Sequence, residues 1–503
     1  MSFYEVKKTE NYNIMNNLPQ TSGKLTNWRW VICSLLFVSV TINYLDRQVL
    51  SLTWDEFIKP EFHWDDNNYG NITSIFSLAY AICMLFAGRF IDWIGTKKGF
   101  LWAIGVWSLG ACLHAVCGIF TEAWVGLGSA ADLVKATGDV VVVISTVSMY
   151  SFIIARCVLA LGEAGNFPAA IKVTAEYFPK KDRAYATAIF NTGASVGALA
   201  APLSIPPLAK AFGWEMAFII IGALGFIWMG FWVFLYNTPQ KSKHVNKAEL
   251  DYIEQDKQTE AEVIPVVAEE KKMPFLKCFT FKQTWAFAFG KFMTDGVWWF
   301  FLFWTPSYLY NQFAIKTTDG LGAGLIFTLY GIVTLLSIYG GKLPTIFINR
   351  SGSNPYAARM KAMLIFAFFP LFVLLAQPLA FHFEPTMGRT VAWIPVLLIA
   401  LAGAAHQSWS ANLFSTIGDM FPKVAIASIT GIGGMAGGLG SFFLQKSAGK
   451  LFTYSEASNM QFMGFEGKPA GYFIIFCICA VAYLIGWSVI KALVPKYKPI
   501  TDY

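Results

Sequence analysis

Charge is what this chain has least of. Asp, Glu, Lys and Arg make up 14% of the 503 residues, against about 25% in soluble domains. With 55% hydrophobic and 17% aromatic residues and a mean hydropathy of +0.49, that scarcity excludes an ordinary soluble domain and implies a polytopic membrane protein. Cysteine is also sparse and offers no framework. Of the eight, Cys33, Cys83, Cys112, Cys117, Cys157, Cys477 and Cys479 fall in or near apolar stretches, and Cys278 lies in a polar loop. They are read as packing residues, and neither a disulfide set, a metal site nor a cofactor is expected. Residues 1–27 lack the short apolar core and small-residue cleavage site of a signal peptide, so the first apolar stretch is expected to be retained. The loops carry no interfacial cluster of acids, bases or metal ligands, which counts against a membrane enzyme.

Apolar stretches near the roughly 20 residues needed to span a bilayer number twelve, at 30–50, 71–92, 100–119, 142–168, 184–208, 214–236, 285–310, 322–348, 360–380, 391–412, 425–448 and 470–493. The expected fold class is an all-α integral membrane protein with twelve transmembrane helices. Lys7, Lys8, Lys24 and Arg29 precede the first span, whereas the loop after it is acidic, with Asp55, Glu56, Glu61, Asp65 and Asp66 against Lys59. By the positive-inside rule both termini are then cytoplasmic. Later loops on the same side agree, carrying Lys97 and Lys98, then Lys180, Lys181 and Arg183, then Arg350, Arg359 and Lys361. The net charge of +7 therefore reflects topology and a lipid bilayer partner, not nucleic-acid binding.

A polar segment, 237–284, contains Lys241, Lys243, Lys247, Glu249, Asp251, Glu254, Glu260, Glu262, Glu269, Glu270, Lys271 and Lys272. It divides the chain into a tail (1–29), a first six-helix bundle (30–236), a cytoplasmic linker (237–284), a second six-helix bundle (285–493) and a second tail (494–503). Six plus six spans around a charged connector suits a transporter that binds cargo near the midplane between two rocking bundles. Residues 248–268 are expected to form a short surface helix. The long connection at 121–139, with Asp132, Lys135 and Asp139, is either a short amphipathic surface helix or a plain insertion.

Ionisable groups inside the spans are the strongest functional signal, since each costs roughly 2.5–3.5 kcal/mol at membrane depth on insertion scales. Asn43-Tyr44-Leu45-Asp46-Arg47-Gln48 lies in the first span. Neighbours on a helix sit about 100° apart, so Asp46 and Arg47 can take different partners. Arg47 is the better anion hook, because a guanidinium binds a carboxylate through two parallel hydrogen bonds. Asp46 is a candidate proton site, and Tyr44 and Tyr80 are candidate hydroxyl contacts. In the fourth span, seven residues separate Arg156 from Glu163 and place both on one face, with Asn166 a turn further on. They form either a structural ion pair or a proton site, because a carboxylate's proton affinity changes when burial or a neighbouring arginine changes. In the seventh span Lys291 and Asp295 are four apart and can pair, structurally or beside a cavity, and Trp298 and Trp299 follow. His406-Gln407-Ser408-Trp409-Ser410-Ala411-Asn412 places polar groups in the tenth span, with Gln407 and Asn412 favoured over His406 as cargo contacts. The glycines at 431, 433, 434, 437, 438 and 440 favour close helix approach and sliding.

The loop Gly88-Arg89-Phe90-Ile91-Asp92-Trp93-Ile94-Gly95-Thr96-Lys97-Lys98 fits G-x-x-x-D-x-x-G followed by two basic residues. It resembles the signature loop of the major facilitator superfamily. Its glycines permit a tight turn, and Asp92 can pair with a basic residue or a helix terminus across the bundle. Gly88, Asp92, Gly95 and Lys97 are therefore assigned to a conformational gate. Gly340-Gly341-Lys342-Leu343-Pro344 in the second half lacks the aspartate, so the gate is expected to be asymmetric.

Three further strings carry a more specific resemblance: Thr41 to Gln48 after Arg29-Trp30, Gly162 to Lys172, and Thr294 to Phe300 with Phe303-Trp304. Over nearly the whole chain the sequence resembles the anion:cation symporter branch of the superfamily, and within it the bacterial hexuronate transporters. The resemblance implies that Arg47 contacts an organic acid, that Asp46 and Glu163 carry coupled protons, and that Arg156 is the charge partner of the glutamate. It also implies a bacterial inner-membrane location and a monomeric protein. The insertion at 121–139, and Gly296 where many relatives are expected to have proline, depart from the pattern. The resulting expectation is proton-coupled import of a hexuronate, with Lys291 and Trp298 completing the cargo contacts. The alternatives are another organic anion such as an aldonate, sodium as the coupling ion, and a sensor without transport.

Overall fold

In the computed structural model, which describes residues 24–263, 273–352 and 354–500, the apolar stretches are long helical rods. Lys7, Lys8, Glu269, Glu270, Lys271 and Lys272, and the side chains of Lys180, Lys181, Glu260 and Glu262, lie outside the described residues. We number only the rods. The first half contains α1 Trp28–Thr53, α2 Asp66–Ile94, α3 Thr96–Val125, α4 Asp139–Tyr177, α5 Lys180–Phe212 and α6 Trp214–Leu235. The second contains α7 Lys282–Phe313, α8 Gly320–Gly340, α9 Pro355–Phe368, α10 Trp393–Met420, α11 Lys423–Ala457 and α12 Lys468–Leu493. Among the described residues, nine stretches are long and apolar enough to cross a membrane. The stretch 355–420 holds both α9 and α10, and α7 and α11 fall outside the nine.

Two expected spans are broken. The helix expected over 322–348 stops at Gly340, turns through Gly341 and Lys342, and resumes as Leu343–Ser351. The one expected over 360–380 tightens into a 3₁₀ segment at Phe369–Leu375, where Pro370 has no N–H to continue an α ladder, and runs on as Ala376–Met387.

Within the first half α1 packs on α5, and α4 on α2 and α3; within the second α7 packs on α11 and α12, and α8 on α10. The halves meet along α2 with α11 and α5 with α8. Glycines permit the first of these contacts. A Cβ at Gly438 would lie 2.5 Å from Ala81 Cβ, and one at Gly70 would lie 2.8 Å from Gly449 Cα.

At the end of the molecule bearing Asp65, the halves are fastened by polar contacts. Lys468 Nζ lies 2.7 Å from Asp66 Oδ2, both buried, and the Asn67 amide donates to Thr453 Oγ1 at 3.0 Å. Lys446 reaches Asn71, Thr318 donates to Glu56 Oε1 at 2.5 Å, and Tyr69 donates to the Phe303 carbonyl at 2.9 Å. The 121–139 connection contains a short helix, Ala130–Lys135, with Ser129 as its N-cap. Its Leu133 is buried and its carbonyl meets His63 Nε2 at 2.8 Å.

The opposite end, bearing Gly95, carries the linker. Its helix, Lys247–Val263, buries Glu249 against the start of α1, where the carboxylate accepts from the backbone amides of Trp28 and Arg29 at 3.1 Å each and from Arg29 Nη1 at 3.2 Å. A carboxylate at a helix N-terminus satisfies the orphan amides and complements the helix dipole. Tyr252 lies under the Arg29 guanidinium at 4.6 Å and donates to Asp182 Oδ2 at 2.7 Å.

Candidate functional site

Arg47 sits at the junction of four rods. Its Nε and Nη2 donate to Glu163 Oε2 of α4 at 3.0 and 2.6 Å. Its guanidinium lies over Tyr44 of α1 at 5.3 Å, Tyr80 of α2 at 5.0 Å and Trp299 of α7 at 5.5 Å. Arg47 is 6% exposed and Glu163 1%, so the pair is largely withdrawn from water. Such a pair is weak evidence of stabilisation but costly to break from one side. Trp299 and Tyr80 also meet each other edge to face at 5.6 Å, so the cage spans both bundles.

The expected partner of Glu163 was Arg156, and the structure differs. The seven-residue spacing shares a face but separates the backbones by about 10 Å along α4, whereas Arg47 approaches Glu163 directly from α1. Arg156 instead lies over the Phe76 ring at 5.2 Å, and its Nε and Nη1 are buried without a hydrogen-bond partner among the described residues. Asp46 points to another side of α1 from Arg47, as adjacent residues must. It is 1% exposed, and neither carboxylate oxygen has a hydrogen-bond partner among the described residues. Asn166, a turn beyond Glu163, accepts from Ser39 at 3.3 Å and ties α4 to α1. Two arginines and two carboxylates are thus buried within one bundle.

In the second bundle Lys291 and Asp295 form the i,i+4 pair at 2.6 Å, with Lys291 Nζ also 4.6 Å from the Phe414 ring centre. Trp298 does not face Arg47. It stacks on His406 at 5.5 Å, and His406 Nδ1 meets the Tyr483 hydroxyl at 2.8 Å. Asn412 is buried and donates back to the Ser408 carbonyl at 2.8 Å within its own helix, and Gln407 is half-buried. These α10 groups are not gathered with Arg47.

The gate residues lie at the Gly95 end. Gly95 takes a φ of +89° between α2 and α3, a backbone region that favours glycine. Asp92 pairs with Lys172 of α4 at 2.7 Å, and Lys97 donates to the Val233 carbonyl and Asn237 Oδ1 at 3.0 Å each. Gly88 stands open on α2, with no atom within 4 Å of where a Cβ would lie. In the second half Arg359 and Asp419 pair at 2.8 Å across α9 and α10.

Trp299 is the site residue that sequence reasoning ranked too low. Its signal was the four-residue interval continuing from Lys291 through Asp295. Lys172, the partner of Asp92, and Glu249, the cap of α1, had no such signal, since their partners lie 80 and 220 residues away.

The chain matches the Major Facilitator Superfamily over residues 36–444. It is 26% identical over 473 residues to the hexuronate transporter of Escherichia coli (strain K12), covering 93% of this chain and 95% of that protein. It is 24% identical over 446 residues to the D-galactonate transporter of Escherichia coli O6:H1, covering 86% and 92%. Its fold is similar to the crystal structure of a bacterial homologue of the human lysosomal transporter Spinster in an inward-facing, unoccupied conformation, with a TM-score of 0.64 at 16% identity, covering 93% and 96% of the chains.

Proposed function

The chain belongs to the Major Facilitator Superfamily and is a membrane transporter, not an enzyme; from that premise we propose that it imports hexuronates by proton symport in the bacterial inner membrane, acting as a monomer with both termini cytoplasmic. The observation that carries the reading is the Arg47 fork, occupied by Glu163 inside a cage of Tyr44, Tyr80 and Trp299. Hexuronate and D-galactonate relatives support a sugar-acid cargo.

The chemistry follows from competition for one guanidinium. While Glu163 is ionised, its Oε2 takes both Nε and Nη2 of Arg47, and an incoming carboxylate meets an occupied fork and a second negative charge. A proton on Glu163 removes that charge and frees the fork. The acid then docks bidentately on Arg47, its apolar ring face against Trp299 and its hydroxyls toward Tyr44 and Tyr80. Proton and anion thereby promote each other's binding, as linkage requires. Arg47, Arg156, Asp46 and Glu163 sum to zero charge when ionised, so one monoanion entering with one proton keeps the buried cluster neutral. Asp46, buried without a partner among the described residues, offers a second proton site.

The contacts at the Asp65 end hold the halves together on what this topology makes the external side, leaving Asp92 exposed at the cytoplasmic end. Release to the cytoplasm follows when Glu163 loses its proton and reclaims Arg47. The gate assigned to Gly88, Asp92, Gly95 and Lys97 then acts by exchanging the Asp92–Lys172 clasp for contacts across the halves.

The test is uptake of labelled glucuronate into proteoliposomes with and without an inward proton gradient. Gradient-driven accumulation supports the proposal. Accumulation unaffected by the gradient and by a protonophore, but lost when sodium is replaced by choline, overturns proton coupling. Uptake of an aldonate but not of glucuronate overturns the cargo.

A further inference from the structure

Asp55 is a buried carboxylate that the transport chemistry above does not use. It follows Trp54 in a single π-helical turn, Trp54–Ile58, that continues α1 toward the Asp65 end. It is 7% exposed, and neither carboxylate oxygen has a hydrogen-bond partner among the described residues. An ionised group buried on such terms is costly, and in practice it is neutralised instead.

What covers Asp55 comes from the other half. It lines a small cavity with Ser51 and Glu56 of the first half and Pro306, Tyr310 and Thr317 of the second, and Ser307 of α7 stands beside it. Thr317 closes the seam by donating to the Leu52 carbonyl at 2.9 Å, and Trp54 meets Trp304 of α7 edge to face at 6.2 Å. Separating the halves at this end therefore withdraws α7 and Thr317 and lets water reach the carboxylate. No cation compensates it closely. Lys59, one turn further along its own segment, holds Nζ 4.0 Å from Oδ1, beyond hydrogen-bond reach, and lies over the Trp54 ring at 5.1 Å. Asp66 of α2 adds a second negative charge, and Lys468 of α12 is taken by Asp66 at 2.7 Å and Glu456 at 2.9 Å. From α7 the facing groups are hydroxyls, and the phenols of Tyr69 and Tyr472 complete the surroundings. Two ammonium groups thus stand against the carboxylates of Asp55, Glu56, Asp66 and Glu456, and a proton on Asp55 relieves part of that excess.

We propose that Asp55 is a proton-operated latch of the Asp65 end, ionised while that end stands open to water and protonated once α7 covers it. A protonated carboxyl is neutral and has an O–H to donate to a neighbouring hydroxyl. Closure thereby takes up one proton, and by linkage acid favours the closed state. That advantage is present in full below the ordinary carboxylate range, near pH 4. It is lost as the pH rises through the range in which the covered carboxyl titrates, by up to about tenfold in the closed-to-open ratio per pH unit. On the topology argued above this end is external, so an acid exterior closes the gate whether or not cargo is present. The latch is separate from the proton assigned to Glu163 and does not depend on the reading of the Arg47 site.

The experiment is a distance measurement by pulsed electron spin resonance on the cargo-free full-length protein in lipid nanodiscs, from pH 5 to 9. Spin-labelled cysteines replace Ala131 and Ala457, exposed positions of the two halves at this end, while the native cysteines are all buried or half-buried. A D46N/E163Q background removes the buried carboxylates of the Arg47 site. In that background the fraction of closed molecules is expected to fall as the pH rises. Adding D55N, neutral at every pH, should keep the end closed throughout and abolish the slope. K59M, which removes the nearest cation, should move the fall to higher pH, and it decides the matter if D55N does not fold. A closed fraction independent of pH in the background, a slope unchanged by D55N, or a fall that K59M does not raise overturns the latch. So does a closed fraction that follows the exchange of sodium for choline and not the pH, which would make the cavity a sodium site.

Discussion

Replacing Glu163 with glutamine separates the two roles proposed for it, holding Arg47 and carrying a proton. In the wild type its Oε2 accepts from Arg47 at 3.0 and 2.6 Å. Each charge-assisted hydrogen bond is worth about 1.5–3 kcal/mol, so a carboxylate cargo must displace a competitor rather than fill a vacant fork. In the proposed mechanism, protonation of Glu163 removes that competitor. Binding on that mechanism takes up a proton, so affinity should fall as pH rises. With one proton taken up per anion, log Kd rises with a slope of about 1 per pH unit. Glutamine carries no charge at any pH and cannot hold the fork as a carboxylate does. E163Q should therefore bind glucuronate with an affinity close to the low-pH affinity of the wild type and with a much shallower pH slope, any remainder coming from Asp46. It should catalyse substrate exchange across the membrane and fail to accumulate substrate against a gradient. Equilibrium binding in detergent from pH 5 to 9, paired with exchange and accumulation in proteoliposomes, reads all three. A pH slope in E163Q equal to that of the wild type, or normal accumulation by E163Q, would refute the competition mechanism.

Three other perturbations test different parts of the structure. R47K keeps the charge but loses the planar fork; forfeiting one charge-assisted hydrogen bond should weaken glucuronate binding roughly 10- to 150-fold, and an affinity within twofold of the wild type would make Arg47 structural. Asp66→Asn removes one partner of a buried cross-bundle pair. One-sided breakage of such pairs costs about 3–5 kcal/mol, so the Asp65 end should open, read as faster labelling, by a maleimide added from that side, of a cysteine placed at Ser441, which is buried on α11 3.0 Å from the Ser77 hydroxyl of α2. Unchanged labelling would show that the other contacts suffice. Glu249→Ala removes the acceptor for two amides at the start of α1 and leaves Arg29 buried without its carboxylate. A loss of about 3–5 kcal/mol is expected, as for the other buried pair broken from one side, visible as a lowered Tm in detergent, with unaltered Tm as the opposing result.

Much of the architecture was legible because the membrane imposes a one-dimensional rule. A segment must be long, apolar and helical to cross, so the twelve stretches could be read along the chain, and apart from overruns of one residue at 236 and two at 391–392 their rods contain them with two exceptions. Those exceptions arose where Gly341 and Pro370 interrupt an otherwise apolar run, a local effect that hydropathy averages away. The linker helix was expected because its composition changes from apolar to charged. Its docking was not, because Glu249 looks like any other acid until it lies beneath α1.

The site was legible in part for a related reason. Buried charge is so costly that its mere presence marks function, and Asp46, Arg47, Arg156, Glu163, Lys291 and Asp295 stood out on that ground alone. Which charge meets which did not. Arg156 and Glu163 share a face of α4, yet that spacing is too long for a direct pair, and the helix that brings Arg47 to Glu163 is 116 residues away in sequence. Likewise Trp298 and Trp299 are neighbours in the chain, but about 100° of helical rotation sends one to His406 and the other to Arg47.

The sequence by itself determined the solvent this protein lives in, its division into two halves around a charged linker, and the short list of charges worth their burial. These are properties of composition and periodicity, which act within a single segment. Only the tertiary structure decided that Arg47 is held by Glu163 inside an aromatic cage built from both bundles, and that the Asp65 end is fastened by Lys468 and Asp66. Such pairings depend on the rotation and register of packed rods, and a shift of one residue turns a side chain through about 100°.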